Sequence, residues 1–359
     1  MNDLNMNRLP VPTWNQCGVN SAPKAAALPA VPADDWGEVN LAFTLPAGVG
    51  EAEEDFTAFA ESGMGVETDT FLLENANVRS ALTVAEGVAV KDPILFEVTL
   101  DAAHPTALSV VSLDAKAHSD VTLVQVVRGD AESGAAASLT RIRAGEGAHV
   151  KLVQVQLLGS KARRWNAVAV EEGAGAKVEQ VRVELGGSLS ACGTRAMLGT
   201  SKSEYDLDAI YFGRGDAVLD YNDVSVHTAK DTLCEMHTAG VLTGNADKIL
   251  RGTIDFRRGA KRGVGHESED VLLFSSHARN RTAPLILCGE EEVEGQHAAS
   301  IGRLDEAKLY YLRSRGLSEA QARRLMVDAR FAPAIEKIPL EALREEVRTE
   351  AARRLDETC

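Results

Sequence analysis

The sequence predicts a mainly β protein, and three observations carry the prediction. Short β-branched runs alternate with period two at Val121–Val127, His149–Leu157, Val178–Leu185 and Ala217–Val226. Glycine-bearing turns separate these runs at intervals of about 12 to 16 residues, with no helical pattern between them. Aromatic residues make up only 5% of the chain, while Ala, Val, Gly and small polar residues dominate. Evenly spaced short strands suit either a sandwich of hairpins or the stacked rungs of a β-solenoid. Few aromatics favour the solenoid, because closely stacked rungs set each inward side chain above a similar one. The strand-rich region also contains no Asn-Gly or Asp-Gly pair, the strongest hairpin signal.

Taken in order, residues 1–64 read as an extended lead-in. Pro10, Pro12, Pro23, Pro29 and Pro32 interrupt regular structure, and Trp14 and Trp36 are the large anchors expected to pin it across the body. Residues 65–303 form the strand-rich core. Residues 304–359 then read as a small helical unit. Its first helix ends on basic residues and Gly316, a natural C′ glycine, and Ser318 with Gln321 makes a capping box that starts a second. A third begins after Pro339, with Leu340, Leu343, Val347, Ala351 and Leu355 along one apolar stripe that must be buried.

Composition excludes several classes. The 359 residues are 45% hydrophobic with a net charge of −15, enough for a large core and repulsive to phosphate backbones, so no nucleic-acid partner is expected. The longest apolar runs, such as Leu108–Leu113 and Val271–Phe274, fall far short of the roughly 20 residues of a spanning helix. The opening MNDLNMNRLPVPTW has no apolar core of a signal peptide, which makes the cytoplasm the expected compartment. Five cysteines without a C-x-x-C pair argue against a disulfide scaffold or a structural zinc site.

Enzyme signatures are missing: there is no phosphate-binding loop, dinucleotide fingerprint, nucleophile elbow or H-E-x-x-H helix. Three constellations carry possible chemistry. Cys234 and His237 lie three apart, which on a strand puts them on opposite faces and reads as a buried thiol with a satisfied imidazole. Cys288, Glu290, Glu291, Glu292, Glu294 and His297 gather a thiolate, carboxylates and an imidazole within ten residues, a mixed ligand set suited to iron. On composition alone that stretch reads first as a solvated acidic loop. Asp223, His227, His266, Asp270 and His277 are spread over neighbouring strands and read as mostly structural.

The stretch Gly252–Gly316 resembles the SufB/SufD family of iron–sulfur cluster assembly proteins. Its family-like elements are Gly252–Ile254, Asp270–Ser275, Thr282–Leu287, Glu290–Glu292, His297–Ala299, Gly302–Asp305 and Tyr311–Gly316, in order and correctly spaced. The opening Asn7–Asn20 also looks like the start of short family members. This resemblance implies a right-handed parallel β-helix serving as a non-catalytic scaffold. It further implies pairing through the last strands, with itself as a homodimer or with a sibling chain, and a nascent iron–sulfur cluster at that interface. The helical unit would dock a SufC-like ABC ATPase through Tyr311, Leu312 and Arg315. His297 matches the family's histidine, a proposed cluster ligand.

The chain also departs from the family pattern. Glu269 stands where SufB chains carry a sulfur-bearing cysteine, Gly295 replaces the cysteine before the histidine, and Ala298 replaces a glutamate after it. Cys288 is the replacement thiol expected on the adjoining rung, with Glu292 and Glu294 as harder iron ligands. Two other readings compete: an adaptor that regulates the ATPase without binding a cluster, and a β-solenoid enzyme acting on carbohydrate through Asp223 and Asp270.

Overall fold

The computed structural model describes residues 4–13, 15–25, 27–29, 41–52, 59–129, 134–303 and 306–357. Trp14 and Trp36, singled out above, lie outside these residues, as do Leu304 and Asp305. The body is a parallel β-solenoid of two nine-stranded sheets, with successive strands alternating between them. One turn takes between 26 residues (Arg163 to Leu189) and 32 (Asp247 to Arg279), so the glycine cadence of the sequence marks half-turns. Only the first short strand of each sheet, Leu41–Thr44 and Val49–Glu51, pairs antiparallel.

One corner of the solenoid shows why the chain turns where it does. Gly87, His118, Gly147, Gly175, Lys202, Asp231 and Arg262 all adopt left-handed backbone conformations, with φ between 57° and 69°. Each donates its N–H to a carbonyl one turn further on, as from Lys202 to Lys230 at 3.2 Å and from Asp231 to Lys261 at 2.9 Å. The stack therefore satisfies corner groups that would otherwise be lost.

Inward side chains form layers. Apolar residues such as Leu123, Leu152, Val170 and Leu207 fill most of the lumen. Through its middle runs an amide ladder in which Gln154 donates to Gln125 at 2.8 Å, Gln180 to Gln154 at 3.0 Å, and the Tyr205 hydroxyl to Gln180 at 2.7 Å. Further along, Arg182 donates two bonds to Asp223, at 2.7 and 2.8 Å, and both side chains are buried. Such charge-assisted pairs keep a buried carboxylate ionised and satisfied.

The outer face of each sheet is covered by another part of the chain. After α1 (Val66–Asn75), the remaining helices are α2 (Glu306–Ser314), α3 (Glu319–Ile335) and α4 (Glu341–Asp356). The expected capping box is present at α3, where Ser318 and Gln321 exchange bonds of 2.8 and 3.2 Å. The apolar stripe of α4 (Leu343, Val347, Ala351 and Leu355) joins Val327, Phe331 and Ile335 of α3. Together they bury against Val153, Val155, Val183 and Phe212 of one sheet. Each such side chain stabilises by about 1.5–3 kcal/mol.

Described residues between 4 and 29 lie across the other sheet. Met6, Ala22 and Leu28 pack with Trp165 and Leu108, Asn7 donates to Asp220 at 2.8 Å, and Arg251 donates to Ser21 at 2.7 Å. A non-glycine residue in the left-handed region is strained by about 1–2 kcal/mol, of which glycine's greater unfolded-state entropy takes back about 0.5–1. Lys202→Gly is therefore expected to raise stability by about 0.5–1 kcal/mol, read as a shift of the urea midpoint, whereas Lys202→Val lowers it.

Candidate functional site at the open end of the solenoid

Among the described residues the solenoid ends on an uncovered turn. Val293–Arg303 pairs with Gly263–Leu273 on one side and with nothing on the other, and Arg279–Cys288 pairs only with Asp247–Phe256. Val293–Arg303 is exposed along nearly its whole length. Alternation decides which of its side chains continue the lumen. His297 is in register with Glu267, whose strand buries Glu267, Glu269 and Val271 on the inner face, so His297 stands on that face one turn further out. Cys288 is in register with Phe256, a fully buried lumen residue, and is itself exposed because nothing stacks beyond it.

The structure thus divides the predicted ligand set. Cys288 and His297 share the inner face of the last turn, one from each sheet. Glu292 sits in the corner between them, its carbonyl accepting the Arg262 N–H. Glu294 lies on the outer face, accepting from Gln296 at 2.8 Å and standing 3.6 Å from His266. Glu290 is tied into the corner by the Gly259 N–H at 3.1 Å. Among the described residues no three His, Cys, Asp or Glu side chains converge closely enough to hold a metal ion.

Beneath His297 lies a buried ionic layer that reading the sequence missed. Lys248 and Glu269 form an ion pair with both side chains essentially inaccessible to solvent. Glu269 also accepts from the hydroxyls of Thr282 and, at 3.3 Å, Tyr211. Tyr211 reaches it only because Gly240 is empty above the ring, where a Cβ would come within 2.0 Å. Burial holds the Lys248 ammonium below its usual range even against the attraction of Glu269. Glu267 is different: burial, reinforced by Asp223 and Glu269, pushes its carboxyl up to about 7. The signal that would have revealed this layer is the turn length, since Glu267 and His297 are one full turn of 30 residues apart.

The remaining sequence candidates lie away from this turn's inner face. Cys234 is buried in the lumen while His237 faces outward and bonds Ser268 at 2.8 Å, on opposite faces as expected. His227 is buried against Thr232 at 2.8 Å, and burial lowers its pKa to about 4. His266 bonds Glu235 at 2.8 Å, and His277 lies in an exposed turn. Asp223 is bound to Arg182 inside the lumen, whereas Asp270 is outside, 3.2 Å from Arg330 of α3. The two carboxylates proposed for a carbohydrate enzyme therefore do not share a site. On α2, Tyr311 is exposed and Leu312 half-buried, and Arg315, in the turn that follows, is exposed.

A two-sheet parallel solenoid, strapped on one face, helix-covered on the other and ending in an open turn with an inward histidine, defines a class of β-solenoid core. Residues 98–330 match the family described as SUF system FeS cluster assembly, SufBD core domain. The chain belongs to the SufB/SufD family. It is 30% identical over 142 residues to an iron–sulfur cluster assembly protein SufD of Bacillus subtilis, covering 40% of this chain and 32% of that one. A SufBD family protein of Pyrococcus horikoshii is 30% identical over 184 residues, covering 45% and 38%. One from Staphylococcus aureus is 26% identical over 145 residues. The chain thus aligns with about a third of the length of these relatives. Among the described residues no helix is long and apolar enough to cross a membrane.

Two outcomes are expected. Lys248→Met strands a buried carboxylate and should cost about 3–5 kcal/mol in urea unfolding, because breaking one side of a buried pair leaves an uncompensated charge. For Glu267 the folded pKa lies above the unfolded one. Its penalty is absent below pH about 4.5, grows as pH rises towards 7, and is complete above that. Glu267→Gln is therefore expected to raise the melting temperature of the metal-free chain more at pH 8 than at pH 4.5.

Proposed function

We propose that the chain is a non-catalytic scaffold subunit of a SUF-type system, on which a nascent iron–sulfur cluster is assembled and handed on. The observation that carries this reading is the open last turn, which offers unpaired strand edges and the inward His297 at one place. Long free edges favour pairing with another chain, either a second copy or a sibling of the same family. The cluster is cargo at that junction, held by His297 and, on the adjoining strand, Cys288, with Glu292 and Glu294 nearby at the rim.

ATP chemistry belongs to a partner in this reading. The exposed α2 presents Tyr310 and Tyr311, 75% and 60% exposed, and with Arg315 in the turn that follows it forms a patch for an ABC-type ATPase. Because α3 and α4 are packed on the solenoid, movement of a docked ATPase would be transmitted to the sheet they cover. The names of the relatives support cluster assembly as the common task.

The test is anaerobic co-expression with the cognate ATPase, followed by iron and acid-labile sulfide assay of the purified complex. Wild type is expected to carry iron and sulfide in near-equal amounts. His297→Ala and Cys288→Ser should keep the complex and lose the cluster. A stable complex that never carries iron would replace the scaffold reading with that of an ATPase adaptor. Tyr311→Ala should weaken ATPase capture at least tenfold without changing the melting temperature.

A further inference from the structure

We propose that Glu267, with His297, forms a two-point site for a divalent first-row metal ion, ferrous iron, at the mouth of the solenoid. The arrival of iron there rests on the scaffold reading, whereas the ligand pair rests on the geometry that follows. The two residues are register partners on adjacent strands and face the same way. Neighbouring strands lie about 4.8 Å apart, a separation that lets a carboxylate and an imidazole converge on one ion. Oxygen and imidazole nitrogen are suitable donors for ferrous iron.

The decisive feature is that Glu267 has no hydrogen-bond partner, the Lys248 ammonium acting on it only through space. The residue is only 7% exposed, and its buried Oε2 makes no hydrogen bond. Buried carboxylates nearly always find a donor or a cation, and the others in this lumen follow that rule with one exception. Asp223 has Arg182, Glu269 has Lys248, and Glu184 accepts from Ser190 at 2.8 Å. The exception, Glu172, is fully buried between turns, and the register partner given for it is Ala144. Glu267 has a single turn above it, the exposed one that carries His297.

The chain also makes room for this carboxylate. A Cβ on Gly252 would lie 1.7 Å from Glu267 Oε1, so glycine at that position leaves the group its place across the lumen. Two protein donors leave the other coordination positions open to water, sulfide or a second chain, as suits an ion that is passed on rather than kept.

The test uses the purified full chain without a sulfur source, titrated anaerobically with Co(II) and followed by visible absorption, then by competition with Fe(II). Wild type is expected to bind one Co(II) per chain. Glu267→Gln and His297→Ala should each weaken binding at least tenfold, with Glu267→Gln melting no lower than wild type. Gly252→Ala keeps both ligands but displaces the carboxylate; it should weaken binding too, and it serves as the probe if the Gln variant fails to fold. Co(II) affinity unchanged in Glu267→Gln, or no uptake by wild type, overturns the site. Cluster content is read separately. Metal binding that depends on Glu267 in a chain that never carries a cluster would keep the site and reject the scaffold reading.

Discussion

In a parallel solenoid each turn completes the backbone hydrogen bonds of the turn before it, and a last turn has no successor. The rest of the molecule is arranged around that inequality. The faces of the sheets are closed by the chain itself, one by α3 and α4 and the other by the amino-terminal strap. The first turn is blunted by two short antiparallel strands, Leu41–Thr44 and Val49–Glu51, a recognised way of ending a sheet without inviting another chain. The far end has no such device among the described residues and instead presents strands of 10 and 11 residues. In the proposed scaffold reading, the open end is where another chain would pair.

The interior explains how that end is held in register. A purely apolar lumen would tolerate slippage between turns, since one Val above another is much like the next. The amide ladder from Gln125 to Gln180 and the ion pairs Arg182–Asp223 and Lys248–Glu269 do not, because a shift would strand buried polar groups. These polar contacts follow one another towards the open turn, and the unpaired carboxylate of Glu267 stands between them and His297. Glu269, at the position where the resemblance to SufB chains implies a cysteine, belongs to this lock.

Much of the architecture was legible from local pattern. Half-turns showed as the glycine cadence, the capping box at Ser318 marked the start of α3, and the apolar stripe of α4 announced a buried face. The surface it would cover was not legible, because Val153, Val183 and Phe212 gather only after several turns have stacked. The buried layer under His297 was hidden for a related reason. Turn length varies from 26 to 32 residues, so the partner of a given side chain cannot be counted off at a fixed interval. Acidic residues around Glu290–Glu294 looked like one cluster in sequence, yet strand alternation and a corner divide them between a turn and the outer face.

The strap has a consequence for the order in which the protein is made. Arg251, which anchors Val19 and Ser21, lies 232 residues beyond the segment it holds. At ribosomal rates of about 5–20 residues per second, the strap waits roughly 10 to 50 seconds for its seat to be synthesised. During that interval the growing turns can stack one upon another, but the outer face near Ile249 stays bare. Docking of Leu9 and Val19 there closes the face only once the penultimate turn exists. The earliest part of the chain thereby acts as a completion latch, engaging a solenoid that has grown far enough to display its open end.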